Sequence, residues 1–192
     1  ERVALRRLGV FAGPFTVSAA EAVVAAFGDI DRDDVLDLVD HLADKSLVAL
    51  DGVDLAGYSR YRLLETIRSY ALDRLDDARE LVAARDAHTE FWAGWAQDHN
   101  VHFDCSLTIL DAIPANLAAA AQWACVDRPE LLQALMLCIG PFVQLEDGER
   151  SAEGLFESAL VALEGRDDMA WAHVAMAAES ARSFTWVVVA DK

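Results

Sequence analysis

Four side chains that zinc accepts, His99, His102, Asp104 and Cys105, fall within seven residues. A structural zinc site also needs fixed tetrahedral geometry and oriented outer partners. A polar loop between helices uses the same residue types, so no metal site is assigned. Six arginines, Arg2, Arg6, Arg7, Arg60, Arg62 and Arg68, could gather into a basic patch of the kind that holds phosphate. Carboxylates are so plentiful beside them that ion pairs are the expected use. The third group is a ladder of acids, Asp33, Asp34, Asp37, Asp40 and Asp44, with a single Lys45 at its end. Such a surface repels phosphate and suits a protein partner. These five aspartates, with Arg60 and Arg62, are the candidate interdomain surface.

The common catalytic sequence motifs are absent. The chain has no G-x-x-x-x-G-K-[ST] phosphate loop, no G-x-S-x-G elbow and no H-E-x-x-H helix. No catalytic residue and no cofactor is assigned, and the chain reads as a non-enzyme. Its 192 residues carry a formal net charge of −17, with acids exceeding bases in both halves, which disfavours nucleic acid and anionic membrane as partners. The three cysteines, Cys105, Cys125 and Cys138, lack metal-type spacing and read as reduced thiols of a cytoplasmic protein. No apolar run approaches the ~20 residues of a membrane span. The opening residues, without an initiator Met or a signal core, read as a mid-chain start.

The elements that would position these residues follow from periodicity. Val3, Leu5, Leu8 and Phe11 predict a short helix stopped by Gly13-Pro14. Ser18 and Glu21 have the spacing of a capping box for a second helix, which Gly28 ends. Asp31 caps a third, with Val35, Leu38, Val39 and Leu42 on one face and the aspartates on the others. Leu47–Leu50 and Tyr61–Leu64 read as a hairpin with a loose connection, and Leu64 as part of its core. Thr66 is placed as the cap of a closing helix that turns Ile67, Tyr70, Ala71 and Leu75 inward. Three helices, a hairpin and a closing helix make a winged helix over residues 1–77, with the acidic helix in the recognition position.

From about Ala78 the pattern is helical. Candidates are Arg79–Asp98, Pro114–Val126, Pro129–Leu145, Glu149–Leu163 and Asp167–Phe184. They suggest a helical linker over 78–128 and a truncated array of tetratricopeptide-like hairpins over 129–192. The fold class is therefore mainly α, a winged helix followed by an all-α array. Trp92, Trp95, Trp123, Trp171 and Trp186, with Phe91 and Phe142, are expected to pack between these helices. His41, His88 and His173 read as packing or surface residues. The uncharged run Phe184–Val189 is expected to pair as a strand or to support a homodimer through the C-terminal end.

Three segments together, LRRLGVFAGPFT (5–16), VLDLVDHLADKSLV (35–48) and YRLLETIRSYA (61–71), resemble the actinobacterial multidomain STAND-type ATPase regulators. IPANLAAAAQWA (113–124) and RSAEGLFESAL (150–160) are similar to the linker and first repeat of that family. The resemblance implies an NB-ARC nucleotide-binding core before this winged helix, repeats after it, and in many members a LuxR-type helix-turn-helix; some carry a nucleotide cyclase. It implies ATP or ADP as cofactor of the parent protein, none in these residues, and the upstream nucleotide-binding domain as partner. A protein or small-molecule signal would bind the repeats. In related proteins a Met-His-Asp-like motif after the wing approaches the nucleotide; the matching positions here are Leu63, Leu64 and Glu65. Leucine cannot donate to phosphate and Glu65 would repel it, so these residues make poor nucleotide contacts. The competing reading is a winged-helix transcription factor that binds DNA directly.

Overall fold

The computed structural model describes residues 1–53, 57–98, 113–139, 149–166 and 168–189. These form two compact units, Glu1–Phe91 with Ser106–Asn116, and Trp92–Cys105 with Leu117–Lys192.

In the first unit, helix α1 (Arg2–Leu8) buries Ala4, Arg7 and Leu8. It ends at Gly9 rather than running on to the Gly13-Pro14 pair, the Gly9, Val10 and Phe11 N–H groups closing a tighter turn onto the Arg6, Arg7 and Leu8 carbonyls. A Cβ on Gly9 would lie 3.0 Å from both the Ala71 side chain and the Leu72 backbone nitrogen, so any larger residue would press the closing helix away from this position. Phe11 then stacks on Phe15 at 4.5 Å between ring centres. Phe15–Thr16 is a short strand, β1, that the sequence pattern did not signal. It pairs antiparallel with β3, Phe15 opposite Tyr61 and Thr16 opposite Arg60.

Strand β1 also moves the helix cap. Helix α2 (Val17–Val24) is capped by Thr16, whose Oγ1 accepts the Ala19 N–H at 3.3 Å. Ser18 is exposed within the helix, and Glu21 pairs with Arg32 at 2.9 Å instead of closing a capping box. The extended backbone imposed on Thr16 by the sheet puts its hydroxyl where the box would have placed Ser18. A 3-10 turn (Ala25–Phe27) and Gly28, at φ +74°, end this helix as expected. Asp31 caps a 3-10 turn (Arg32–Asp34) by accepting the Asp33 N–H, and helix α3 (Val35–Asp44) follows.

Helix α3 buries Val35, Val39 and Leu42, with Leu38 half-buried, on the predicted face. Ser46, at φ +57°, turns the chain into β2 (Val48–Val53), which pairs with β3 (Ser59–Leu63). The sheet order is β1-β3-β2. Helix α4 (Glu65–Asp77) opens at Leu64 with no side-chain cap; Thr66 lies exposed in its first turn. Leu64 is 49% and Tyr70 56% exposed, against the inward positions expected for both. The helix instead buries Ala71 and Leu75, because the tight approach at Gly9 leaves room only for a narrow, small-residue stripe.

Helix α5 (Leu81–Asp98) follows a turn at Arg79, φ +59°. Helix α6 (Ile113–Asp127) starts at Pro114's neighbour as the pattern suggested, its first residues belonging to the first unit; in the second unit a 3-10 turn (Pro129–Leu131) leads into α7 (Leu132–Ile139). Helices α8 (Glu149–Leu163) and α9 (Asp168–Val189) are joined across Gly165, at φ +68°. Their interior holds Leu132, Leu135, Met136, Leu155, Phe156, Ala159, Leu163 and Val174. Burial of the larger of these, the Leu, Met, Phe and Val side chains, supplies ~1.5–3 kcal/mol each. The backbone of residues 184–189 continues α9, so the expected strand is a helix. Trp92 is buried and meets Trp95 edge-on at 5.7 Å, but Trp171 is 42% exposed, contrary to its expected core position. Cys138 is a buried thiol and Cys125 a half-buried one, neither of them in a disulfide. Phe142 and the cluster His99, His102, Asp104 and Cys105 lie outside the described residues.

Candidate interaction surface

The turn between α2 and α3 is held from behind by Arg7, which is 1% exposed. Its Nη1 donates to the Val24 carbonyl at 2.8 Å and to Asp29 Oδ1 at 2.6 Å, and its Nη2 to Asp29 Oδ2 at 2.9 Å. Its Nε donates to Glu80 Oε2 at 3.0 Å, and Phe27 lies 3.8 Å from the guanidinium carbon. Arg6 completes the group with a fork onto Glu80 at 3.0 and 2.5 Å. Glu80 reaches both arginines because the left-handed turn at Arg79 bonds its N–H to the Leu75 carbonyl. Hydrogen bonds from Arg6, and then from Arg7, hold the Glu80 carboxyl down at about 2. A buried guanidinium with every donor direction occupied fixes the geometry of the helix-turn-helix.

On the front of that turn, Asp33, Asp34, Asp37, Asp40 and Asp44 are all exposed. Leu36 stands among them, 43% exposed. Asp40 accepts the Tyr61 hydroxyl at 3.4 Å; burial, with Asp40 beside it, raises the Tyr61 phenol. Lys45, the ladder's one cation, is paired with Glu1, and His41 Nδ1 lies 3.8 Å from the same carboxylate. The recognition-position surface is thus anionic along its length.

The arginines of the wing face a carboxylate. Arg62 Nε lies 3.1 Å from Asp51 Oδ1, and Arg60 Nη2 lies 3.4 Å from the Asp51 carbonyl and 4.0 Å from its Oδ2. Arg68 forks onto Glu65 at 2.9 Å twice. Of the six arginines, Arg6, Arg7, Arg60, Arg62 and Arg68 are in ion pairs, as the carboxylate-rich surroundings predicted. Leu63 is half-buried at the end of β3, and the Arg68 bond keeps the exposed Glu65 carboxyl below the ordinary carboxylate range. The structure therefore places Asp37, Asp40 and Asp44 on α3 with Asp33 and Asp34 in the 3-10 turn just before it, and gathers Arg60 and Arg62 around Asp51.

Two groups escaped the sequence reading. Arg7 falls on the same phase of α1 as Ala4 and Leu8, and a charge at a core phase was the available signal. Asn116 gave none. It is fully buried, its Oδ1 accepts the Ala12 and Gly13 N–H groups at 2.9 and 3.2 Å, and its Nδ2 donates to the Pro14 carbonyl at 2.8 Å. His88 Nε2 lies 3.5 Å from the same Oδ1, with the Phe11 ring edge-on at 5.2 Å. Burial drives the His88 imidazole down to about 4.

Among the described residues no three or more His, Cys, Asp or Glu side chains are grouped to hold a metal ion. No helix among them is long and apolar enough to cross a membrane.

Residues 1–76 match the family described as "Winged helix-turn-helix domain". The chain is 42% identical over 142 residues to a protein of Mycobacterium tuberculosis (strain ATCC 25618 / H37Rv) named as an HTH-type transcriptional regulator. That match covers 71% of this chain and 15% of the relative, and a Mycobacterium bovis protein of the same description matches equally. An uncharacterized protein of M. tuberculosis H37Rv is 39% identical over 83 residues, 43% of this chain and 21% of its own. The match thus spans about a seventh of the length of the regulators the chain is similar to. No solved structure matches it. Three helices, the β1-β3-β2 sheet and the closing helix, together with the matched family, make residues 1–76 a winged helix-turn-helix domain, followed by a helical region.

Proposed function

We propose that this winged helix is a protein-facing regulatory joint within a longer, ATP-dependent transcriptional regulator, and that it performs no catalysis itself. The observation that carries this reading is the charge of α3 and the turn that leads into it: five exposed aspartates, two in the turn and three on the helix, stand where a DNA-reading winged helix presents donors to phosphate and base edges. The upstream nucleotide-binding domain is the partner of this surface, ATP or ADP is the ligand of that domain, and the helical region receives a protein or small-molecule signal. Leu63, Leu64 and Glu65 take no part in holding the nucleotide. The parent protein is placed in the cytoplasm.

The second reading, direct DNA binding, is favoured by the name its mycobacterial relatives carry and by the family description. Fluorescence anisotropy with labelled duplex at low salt separates the two. The protein-facing reading expects no saturable binding. The DNA reading expects binding that weakens steeply with salt and falls when Arg60 and Arg62 are neutralised. In the whole regulator, reversing Asp37, Asp40 and Asp44 to lysine is expected to disturb interdomain control while circular dichroism of this chain stays native. Extensive unfolding of that variant would count against the reading.

A further inference from the structure

Behind the acidic ladder, the surface between α1 and α3 is hollowed into a cleft of about 410 Å³. Its floor is apolar: Val3 of α1, Ile30 of the connecting turn and Leu38 of α3, each half-buried. Its rim is acidic, with Asp31, Asp34 and Asp37 all exposed. These rim acids differ from the others that reach the cleft. Glu1 is engaged by Lys45, and Asp29 by Arg7. Asp31 accepts the Asp33 N–H. Asp34 and Asp37 have no ion-pair partner among the described residues; Asp34 stands at the N-cap position of α3 and Asp37 lies three residues on in its first turn, and both line the cleft.

We propose that this cleft receives a basic amphipathic segment of a partner protein domain. An arginine or lysine of that segment is held between Asp34 and Asp37, and an aliphatic side chain is seated on Val3, Ile30 and Leu38. Charge complementarity selects this occupant. Two carboxylates without counter-charges beside an apolar floor repel nucleic acid and favour a side chain with a hydrocarbon stem and cationic head, or neighbours supplying one each. Arginine suits the pair best, because its planar fork engages carboxylates in two directions. The inference rests on the protein-facing reading of α3 and adds to it the chemistry of the partner and the place it docks.

The test titrates the isotope-labelled 192-residue chain with a synthetic peptide of about 15 residues, long enough for a marginal helix, with arginines and leucines at i, i+4 spacing. Control probes replace its leucines by serine, replace its arginines by glutamate, or are a DNA duplex. The expected result is amide shifts at Val3, Ile30, Asp34, Asp37 and Leu38. Binding should weaken about tenfold or more in D34K/D37K, and also with the leucine-free peptide. D40K/D44K, with the same change in charge, should weaken it far less. If D34K/D37K loses its native spectrum, D34N/D37N carries the comparison. Equal weakening by the two lysine pairs, or indifference to the leucines, overturns the cleft while leaving α3 protein-facing. Preferential binding of the duplex overturns both.

Discussion

Replacing Asn116 with alanine should cost this chain far more than the size of the side chain suggests. The amide accepts from the N–H groups of Ala12 and Gly13 and donates to the carbonyl of Pro14, at 2.8 to 3.2 Å, with His88 Nε2 3.5 Å from its oxygen, and it has no exposed surface. Ala12–Pro14 is the bend between α1 and β1, so it lies outside regular structure and its polar groups depend on a side chain for partners. Each buried group left without a partner costs about 1–3 kcal/mol. Water entering the vacated space relieves part of that, so the expected destabilisation is about 3–5 kcal/mol, a large fraction of a domain's ~5–15 kcal/mol. Urea unfolding of wild type and Asn116→Ala measures it. Native-state hydrogen exchange should show the Ala12 and Gly13 amides losing protection beyond the global change. A loss below about 1 kcal/mol, with both amides still protected, would refute the reasoning. Asn116→Asp supplies a second check: it keeps the acceptor, loses the donor to Pro14 and buries a carboxyl, so it should not rescue stability.

Arg7→Met removes the buried guanidinium, takes a donor from the Val24 carbonyl, leaves the exposed Asp29 to solvent and leaves Glu80 with Arg6 alone; about 1–3 kcal/mol should be lost in chemical denaturation, and a loss under about 0.5 would show that the group is dispensable. Acid should destabilise the chain in two overlapping windows. Glu80 sits at about 2 when folded against an ordinary 4.5, so its stabilisation is present above 4.5 and disappears as pH falls towards 2, about 2 kcal/mol after allowance for its residual exposure. His88 is neutral when folded, at about 4 against 6.5, so the unfolded chain takes up the proton first and stability falls between pH 6.5 and 4, by about 3 kcal/mol. Unfolding free energies measured from pH 7 to 3 should show the upper window vanish in His88→Phe and the lower shrink in Glu80→Gln. Thr16→Ala should cost about 1 kcal/mol and Ser18→Ala almost nothing; the reverse order would restore Ser18 as the cap.

Local pattern alone determined a good part of this protein. The amphipathic stripe of Val35, Leu38, Val39 and Leu42, the hairpin, the closing helix and the helical second half all follow from apolar spacing, because a face repeating every 3.6 or 2 residues has one economical way to be covered. The acidic character of α3 was equally legible, since exposed charge is a property of residue type and phase. Tertiary structure decided the rest. Strand β1 exists only because β3 offers Phe15 and Thr16 an edge, and that pairing chose Thr16 over Ser18 as the cap. The Phe184–Val189 run has strand-like composition, yet its backbone continues α9, which shows how weakly β-propensity binds a short segment. The Arg7–Glu80 and Ala12–Asn116 contacts join residues 73 and 104 positions apart. Nothing near Arg7 in the sequence names Glu80, and nothing near Asn116 names an unpaired bend. Partners over such distances are selected by which buried groups still need a hydrogen bond once the helices have packed, and that need arises only in the folded chain.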